Sequence, residues 1–339
     1  MRPIPLAPNT LKSFYPGAGR IGAFRGEPEL DPAHSEEWIA STTIRYGAAP
    51  LGLTTLPDGS LLADRVAADP ETWFGPRYTE RYGARGALLV KLLDVGGRLP
   101  LHIHPDRAFA GLHLGSDFGK TEAWLVLHAD PGASAHLGFS RDVGEAELSG
   151  WVTAQDTGAL LGNCNQVPAR SGDVFFCPGG VPHAIGEGIF ILEIQEMTDF
   201  SIMLEWAGFP MDPDALFLGL PREVALGAVR RSAVPGADLD ALRGQCIRSL
   251  ATGTPGSSPL LPSGAAGFFA ADQIIPGGGE VALDPRFSVL VVNEGAGTLA
   301  SESAEPVGVT AGQVYLIPYA AGATAVRGSL SAIRCYPAV

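Results

Sequence analysis

The stretch Leu99-Pro100-Leu101-His102-Ile103-His104-Pro105 places two histidines one residue apart inside an apolar run. In an extended strand, side chains two positions apart share a face. The pair therefore offers two imidazoles side by side, a grip suited to a divalent metal. A lone strand histidine reads more naturally as a packed or surface residue; a His-x-His pair flanked by apolar residues and closed by proline reads as a ligand pair. Candidates for the rest of a shell lie downstream. Glu122 sits in Gly119-Lys120-Thr121-Glu122-Ala123-Trp124, just before the apolar run to Leu127, and His183 in Gly179-Gly180-Val181-Pro182-His183-Ala184-Ile185-Gly186. Imidazole and carboxylate donors suit Zn, Fe, Mn or Ni better than Mg or Ca. His34, His113, His128 and His136 stand alone and read as structural or surface residues.

Outward from this pair the pattern is one of short strands. Leu88 to Leu93 leads to a turn at Gly96-Gly97 and then to the paired histidines; Ala123 to Leu127, Asp173 to Phe176, Ile189 to Ile194 and Phe200 to Leu204 follow. Between them, Glu145 to Leu161 spaces Leu148, Trp151, Val152 and Leu160 as an amphipathic helix would. The 44 glycines and 28 prolines supply turns, and short strands so punctuated indicate a jelly-roll barrel. Residues 1 to about 85 are turn-rich, with a short helix expected near Asp69 to Phe74. Residues 210–262 look helical and linker-like. Beyond them Gly312-Gln313-Val314-Tyr315-Leu316-Ile317-Pro318 echoes Gly172-Asp173-Val174-Phe175-Phe176-Cys177-Pro178, but Ala323 stands where the first copy has His183. The expected class is therefore mainly β: a metal-binding barrel over 1–209 with a helical insertion at about 143–165, a linker over 210–262, and a second, metal-free barrel over 263–339.

Composition narrows the partners. With 46% hydrophobic and 17% charged residues the chain can bury a core, and a net charge of −13 argues against nucleic acid and against an anionic membrane surface. No apolar run reaches the roughly 18 residues of a spanning helix, and Met1-Arg2-Pro3-Ile4-Pro5 does not open a signal peptide, so the expected location is the cytoplasm. Cys164, Cys177, Cys246 and Cys335 are scattered and read as free thiols. Nothing resembles a zipper, so a monomer or weak homodimer is expected. Lysine is rare: Lys12, Lys91 and Lys120 are the only three. Lys120 lies two residues before Glu122, whereas Lys91 reads as flanking an apolar strand.

Taken together, Glu37-Trp38, Leu88 to Asp94, His102-Ile103-His104-Pro105-Asp106, Gly119 to Trp124, Gly172 to Phe176, His183 to Gly186, Glu193-Ile194-Gln195 and Asp199 resemble the type I mannose-6-phosphate isomerases, zinc enzymes of two cupin barrels. The resemblance covers roughly residues 1–205 and extends more loosely to the end. It implies a metal on His104, Glu122 and His183, with His102 where the family usually has glutamine. Zinc is the first expectation, with Mn, Fe, Co and Ni as the others. The resemblance places Glu193 at the pocket wall. Glu193, Lys120 and Asp199 are the candidate catalytic residues, and Lys120, Arg107, Trp38 and Met203 the candidate substrate contacts, with Arg107 standing where the family often has an acidic residue. Two departures stand out. The family's arginine ten residues after the glutamate of Glu193-Ile194-Gln195 is here Met203, and its serine two residues before the first ligand is Pro100. A thioether and an imino acid cannot hold a dianion as a guanidinium and a hydroxyl do.

The function so implied is an aldose–ketose isomerase working through a cis-enediol on a free or modified sugar. Glu193 is the candidate base, set against the alternative of a surface carboxylate at a strand end. Mannose-6-phosphate isomerase proper, an Fe(II) cupin oxygenase and a non-catalytic sugar-binding cupin are the competing readings.

Overall fold

The computed structural model describes residues 1–302 and 304–338. In chain order its strands are β1 (Ile4–Pro5), β2 (Thr10–Leu11), β3 (Glu36–Ile39) and β4 (Leu89–Val95). Next come β5 (His102–Ile103), β6 (Glu122–Ala129), β7 (Ser134–Phe139) and β8 (Cys164–Pro168). β9 (Val174–Cys177), β10 (His183–Ile185), β11 (Ile189–Gln195) and β12 (Ile202–Met203) follow. The C-terminal strands are β13 (Gly256–Pro259), β14 (Phe269–Ile275), β15 (Glu280–Leu283) and β16 (Ser288–Ser301). β17 (Ala304–Thr310), β18 (Val314–Ile317) and β19 (Thr324–Pro337) complete the set.

The molecule is mainly β. A six-stranded sheet runs β2-β3-β4-β11-β6-β9 and a five-stranded sheet β12-β5-β10-β7-β8. The C-terminal strands form an eight-stranded sheet, β1-β18-β16-β19-β14-β13, with β15 on β19 and β17 on β16. β1 belongs to this sheet through Ile4 opposite Leu316, so the start of the chain is tied to its far end.

Alternation along the strands sorts side chains into layers. On β4 and β11, Val90, Leu92, Phe190, Leu192 and Ile194 face one way, into a cluster shared with Phe269, Val289, Leu316 and Ile333 of the C-terminal sheet. Leu93, Val95, Ile189 and Ile191 face the other way, meeting Ala135, Leu137 and Ile185 of the five-stranded sheet. The six-stranded sheet is thus buried on both faces. Each fully buried aliphatic side chain stabilises by roughly 1.5–3 kcal/mol. The same inward positions carry Lys91 and Glu193 at one end of the barrel, where the apolar filling stops.

The outer face of the five-stranded sheet is covered by helix. Leu148, Val152 and Leu160 pack with Leu101, Ile103, Ala184, Ile202 and Leu204. The single helix expected over Glu145 to Leu161 is two, Glu145–Ala154 and Thr157–Gly162. Gln155 turns left-handed at φ 52° and breaks the first, and the Asp156 side chain caps the second by accepting from the Ala159 amide at 2.9 Å. The sequence pattern carried the apolar face but not the break. The echoed segments are realised as β9 and β18, each entered through a glycine with positive φ, 94° at Gly172 and 85° at Gly312. In both a Cβ would collide with a backbone carbonyl, of Ile247 and Phe24 respectively, so the turn requires glycine twice over. Among the described residues, no helix is long and apolar enough to cross a membrane.

Candidate metal centre and the cavity around it

His102 and His183 lie directly opposite one another on β5 and β10, and Met203 opposes His102 from the other side on β12. His104 leaves the end of β5 on the same face. The three rings stand with centroids 4.2 to 4.9 Å apart, and candidate ligand atoms of all three lie within 4.8 Å of one another. Glu122, the first residue of β6, enters from the opposing sheet. Its Oε2 is 2.9 Å from His104 Nε2 and its Oε1 3.3 Å from His183 Nε2.

Each imidazole is oriented from behind. The Nδ1 of His102, His104 and His183 lies 2.9, 2.8 and 2.8 Å from the carbonyls of Pro100, Phe200 and Val181. A carbonyl only accepts, so each Nδ1 carries the proton and each Nε2 presents a bare lone pair. Burial, reinforced by the neighbouring histidines, pushes the His102 pKa well below the ordinary value; burial and Lys120 lower that of His104 to about 3. Burial also lowers that of His183. Burial would raise Glu122, but His104, His183 and Lys120 outweigh it and hold the carboxyl ionised. Trp124 Nε1–H donates to Glu122 Oε1 at 2.7 Å.

Lone pairs of neutral imidazoles therefore face a carboxylate at close range, while His183 Nε2 and Glu122 Oε2 are buried without a hydrogen-bond partner. Such an arrangement is repulsive unless something electropositive lies between. The donor set, the fixed tautomers and the orphaned atoms all fit a divalent transition metal held by His102, His104, Glu122 and His183.

Beside this centre opens a cavity of about 690 Å³. Its polar wall comes from the six-stranded sheet. Lys91 Nζ lies 3.7 Å from Glu193 Oε1, 3.5 Å from Asp199 Oδ1 and 4.4 Å from the centre of the Trp38 ring. Trp38 Nε1–H donates in turn to Glu36 Oε2 at 2.8 Å. Burial and the nearby Glu122 raise the Glu193 pKa to about 8, against the pull of Lys91 and Lys120. Its Oε1 makes no hydrogen bond. For Lys91, burial favours the neutral amine, but Asp199, Glu193 and Glu36 prevail and raise its pKa. Burial works against ionised Glu36 too, yet Lys91 and Arg45 bring it down to about 2.

Glu193, Lys120, Asp199 and Met203 all line the cavity together with His102, His104 and Glu122 of the ligand set. Glu193 is neither at a strand end nor on the surface: it is buried within β11 opposite Lys91. Arg107 is elsewhere. Its Nε donates to Glu196 Oε1 at 2.6 Å and its guanidinium lies over Phe268, and it is not among the residues that line the cavity. Trp38 is wholly buried and reaches the cavity through Lys91 and Glu36. Lys91, read from sequence as a strand flank, is a charged cavity residue that reading missed. Its signal was the rarity of lysine together with its inward phase on β4. Tyr15, Arg45 and Ser201 also line the cavity.

The five-stranded sheet closes the cavity's other side. The Met203 amide donates to the Leu216 carbonyl at 2.9 Å, which brings the following loop alongside β12. That loop is anchored by Glu205, whose carboxylate accepts from both Arg98 arms at 2.8 and 2.7 Å and from the Leu101 amide at 2.9 Å. Glu205→Ala should cost about 3 kcal/mol, as loss of a buried charged partner usually does, read from urea unfolding; a change under about 1 kcal/mol would show that the anchor is dispensable.

Comparison with known proteins agrees with this architecture. The chain is 36% identical over 166 residues to the mannose-6-phosphate isomerase of Streptococcus mutans, covering 47% of this chain and 50% of that one. It is 34% identical over 122 residues to a Bacillus subtilis mannose-6-phosphate isomerase, covering 36% and 38%. The aligned stretch thus spans half or less of these relatives. No protein-family model matches. In structure, the mannose 6-phosphate isomerase from Bacillus subtilis superposes with TM-score 0.73 at 22% identity over 99% of this chain and 100% of the other. A variant of phosphomannose isomerase from Salmonella typhimurium gives 0.72 at 14%, again over 99% and 100%. The chain therefore resembles the mannose-6-phosphate isomerases in part of its sequence and shares their cupin-type fold throughout.

Proposed function

We propose, from a chain that shares the fold of the mannose-6-phosphate isomerases throughout and their sequence in part, that this protein is a metal-dependent aldose–ketose isomerase acting on a free or modified sugar. The observation that carries the reading is Glu193: a buried carboxyl without a hydrogen-bond partner, its pKa raised to about 8, sharing a cavity with a three-histidine, one-glutamate centre. A general base near neutrality is what proton transfer at carbon requires.

In this reading His102, His104, Glu122 and His183 hold the metal, zinc first among the candidates. A bound divalent metal would supply Lewis-acid stabilisation of negative charge on the sugar oxygens. Glu193 Oε1 takes the proton from C2 of the aldose while O1 gains one, giving the enediol. It returns the proton to C1 on the same face while O2 gives up its hydroxyl proton, so that one O–H proton passes in sum from O2 to O1. Lys91, locked between Glu193 and Asp199, and Lys120, 3.9 Å from Glu122 Oε2, donate hydrogen bonds to the substrate hydroxyls. Asp199 holds Lys91 in place. The site is complete within one chain, in keeping with a monomer or weak homodimer.

Mannose-6-phosphate isomerase proper is the second reading, favoured by Lys12 and Arg45 among the cavity-lining residues. Proton NMR in D₂O on the metal-loaded protein tests both. Deuterium entering C1 or C2 of an unphosphorylated sugar supports the first reading, and exchange with mannose 6-phosphate alone supports the second. No exchange with either would remove the isomerase and leave oxygen consumption, or binding without turnover, as the next measurements.

The base must be unprotonated to act. Hence kcat/KM should rise with pH to a limb at or below about 8, since the added positive charge of a bound metal can only lower the Glu193 value from there. A flat profile between pH 5 and 9 would count against Glu193.

A further inference from the structure

The cavity has two unlike walls. The six-stranded sheet gives carboxylates and ammonium groups, whereas the side formed by β12 and its following loop is mainly carbon and sulfur, from Met203, Met211, Leu216 and Leu218, with Asp212 as its charged group and no cation. Met203, Leu216 and Leu218 are themselves buried. The apolar wall is also rigid. Gln155, the residue that breaks the helical insertion, accepts from the amides of Trp206 and Ala207 at 2.6 and 2.9 Å and donates to the Leu204 carbonyl at 3.2 Å. Glu205 is fixed between them by Arg98, and Thr157 adds a hydroxyl at 3.1 Å. A wall clamped in this way cannot turn polar groups inward to meet a charge.

The cavity's outer cations do not alter this. Arg45 spends its guanidinium on the Lys12 carbonyl at 2.6 Å and on Ser13 Oγ at 3.0 Å, and the Lys12 side chain is exposed to solvent. Lys91 and Lys120 are engaged with carboxylates. A dianion laid on the methionine and leucine wall would lose its water and gain no donor.

We propose that this wall makes the cavity selective for a sugar whose end remote from the carbonyl is uncharged and presents carbon and hydrogen, namely a 6-deoxy aldose or ketose, over the phosphorylated form. The proposal rests on the isomerase reading and narrows its substrate class. The sugar's hydroxyl edge lies toward Glu193 and Lys91, and its C6 methyl lies against Met203 and Leu216.

The test uses the metal-loaded full chain and sets of aldoses that differ only at C6, as methyl, hydroxymethyl or phosphorylated hydroxymethyl, in manno, gluco and galacto configurations. In whichever configuration is turned over, kcat/KM for the 6-deoxy sugar should exceed that for the parent by about tenfold and that for the 6-phosphate by about a hundredfold or more. Met203→Arg should shift the ratio of 6-phosphate to 6-deoxy turnover upward by about a hundredfold. Met211→Lys, at a partly exposed loop position and so tolerant of change, should shift it about tenfold in the same direction. Equal turnover of the three forms, a preference for the phosphate, or ratios unmoved in a folded Met211→Lys protein would each overturn the proposal and leave the isomerase standing. Exchange with none of the sugars, from protein holding one metal per chain, would overturn both.

Discussion

His104→Ala should yield a protein that folds but retains little metal. His104 presents Nε2 to Glu122 Oε2 at 2.9 Å, while the Phe200 carbonyl fixes its Nδ1. Removing it takes away one of four donors and leaves the buried Glu122 with Trp124 and His183 as its remaining close contacts. Loss of outer partners alone weakens metal sites 10- to 100-fold, so losing a ligand should weaken this one by on the order of a thousandfold, with activity falling in step. Metal analysis after dialysis, with circular dichroism to confirm the fold, decides it. Stoichiometric metal in His104→Ala would sink the ligand assignment. His183→Ala should behave likewise, because His183 occupies the adjacent strand in register with His102.

Glu193→Gln should do the reverse, keeping the metal and losing the chemistry. Removing a positioned base typically costs 10² to 10⁴ in rate, so kcat should fall about a thousandfold, and deuterium exchange at C1 and C2 should fall with it. The same substitution has a second signature. The folded pKa of Glu193 is raised from 4.5 to about 8, so its favourable contribution is full below the unfolded value and is lost as pH rises from about 4.5 through 8. A neutral isostere escapes that loss. Metal-free Glu193→Gln should therefore be more stable than the parent at pH 8, by about 4 kcal/mol, and nearly equal to it near pH 4.5. Lys91 retains Asp199 and Glu36 as partners in either protein. A carboxylate with a merely structural role would give the opposite sign.

The legibility of this molecule followed the range of the interactions involved. Alternation within a strand is local, so the apolar strands and the shared face of His102 and His104 could be read from sequence. Glu122 and His183 were read as nearby candidates from their own motifs, and the fold brings them to the same point. Three features depend on contacts distant in the chain and were not readable. Lys91 acquires its role from Glu193, Asp199 and Trp38, none of them its sequence neighbours. Arg107 is drawn away from the cavity by Glu196 and Phe268, which lie 89 and more residues further on. The break at Gln155 answers to the loop beyond β12, whose amides its side chain satisfies, and nothing in the apolar spacing of the helix announces it.

The double burial of the six-stranded sheet has a consequence for how such a chain can vary. On β4 and β11 the reactive groups and the residues that seat the C-terminal sheet alternate one by one: Lys91 and Glu193 inward, Val90, Leu92, Leu192 and Ile194 outward. A substitution alters one layer only. Deletion or insertion of a single residue in either strand would exchange the layers, driving an ammonium or a carboxyl into the seam against the C-terminal sheet and leucine into the cavity. The reading frame of these two strands is thereby locked, whereas the loop beyond β12 bears no such double duty. In a library of single-residue deletions, β4 and β11 should come out empty, and the survivors should gather in the loop beyond β12.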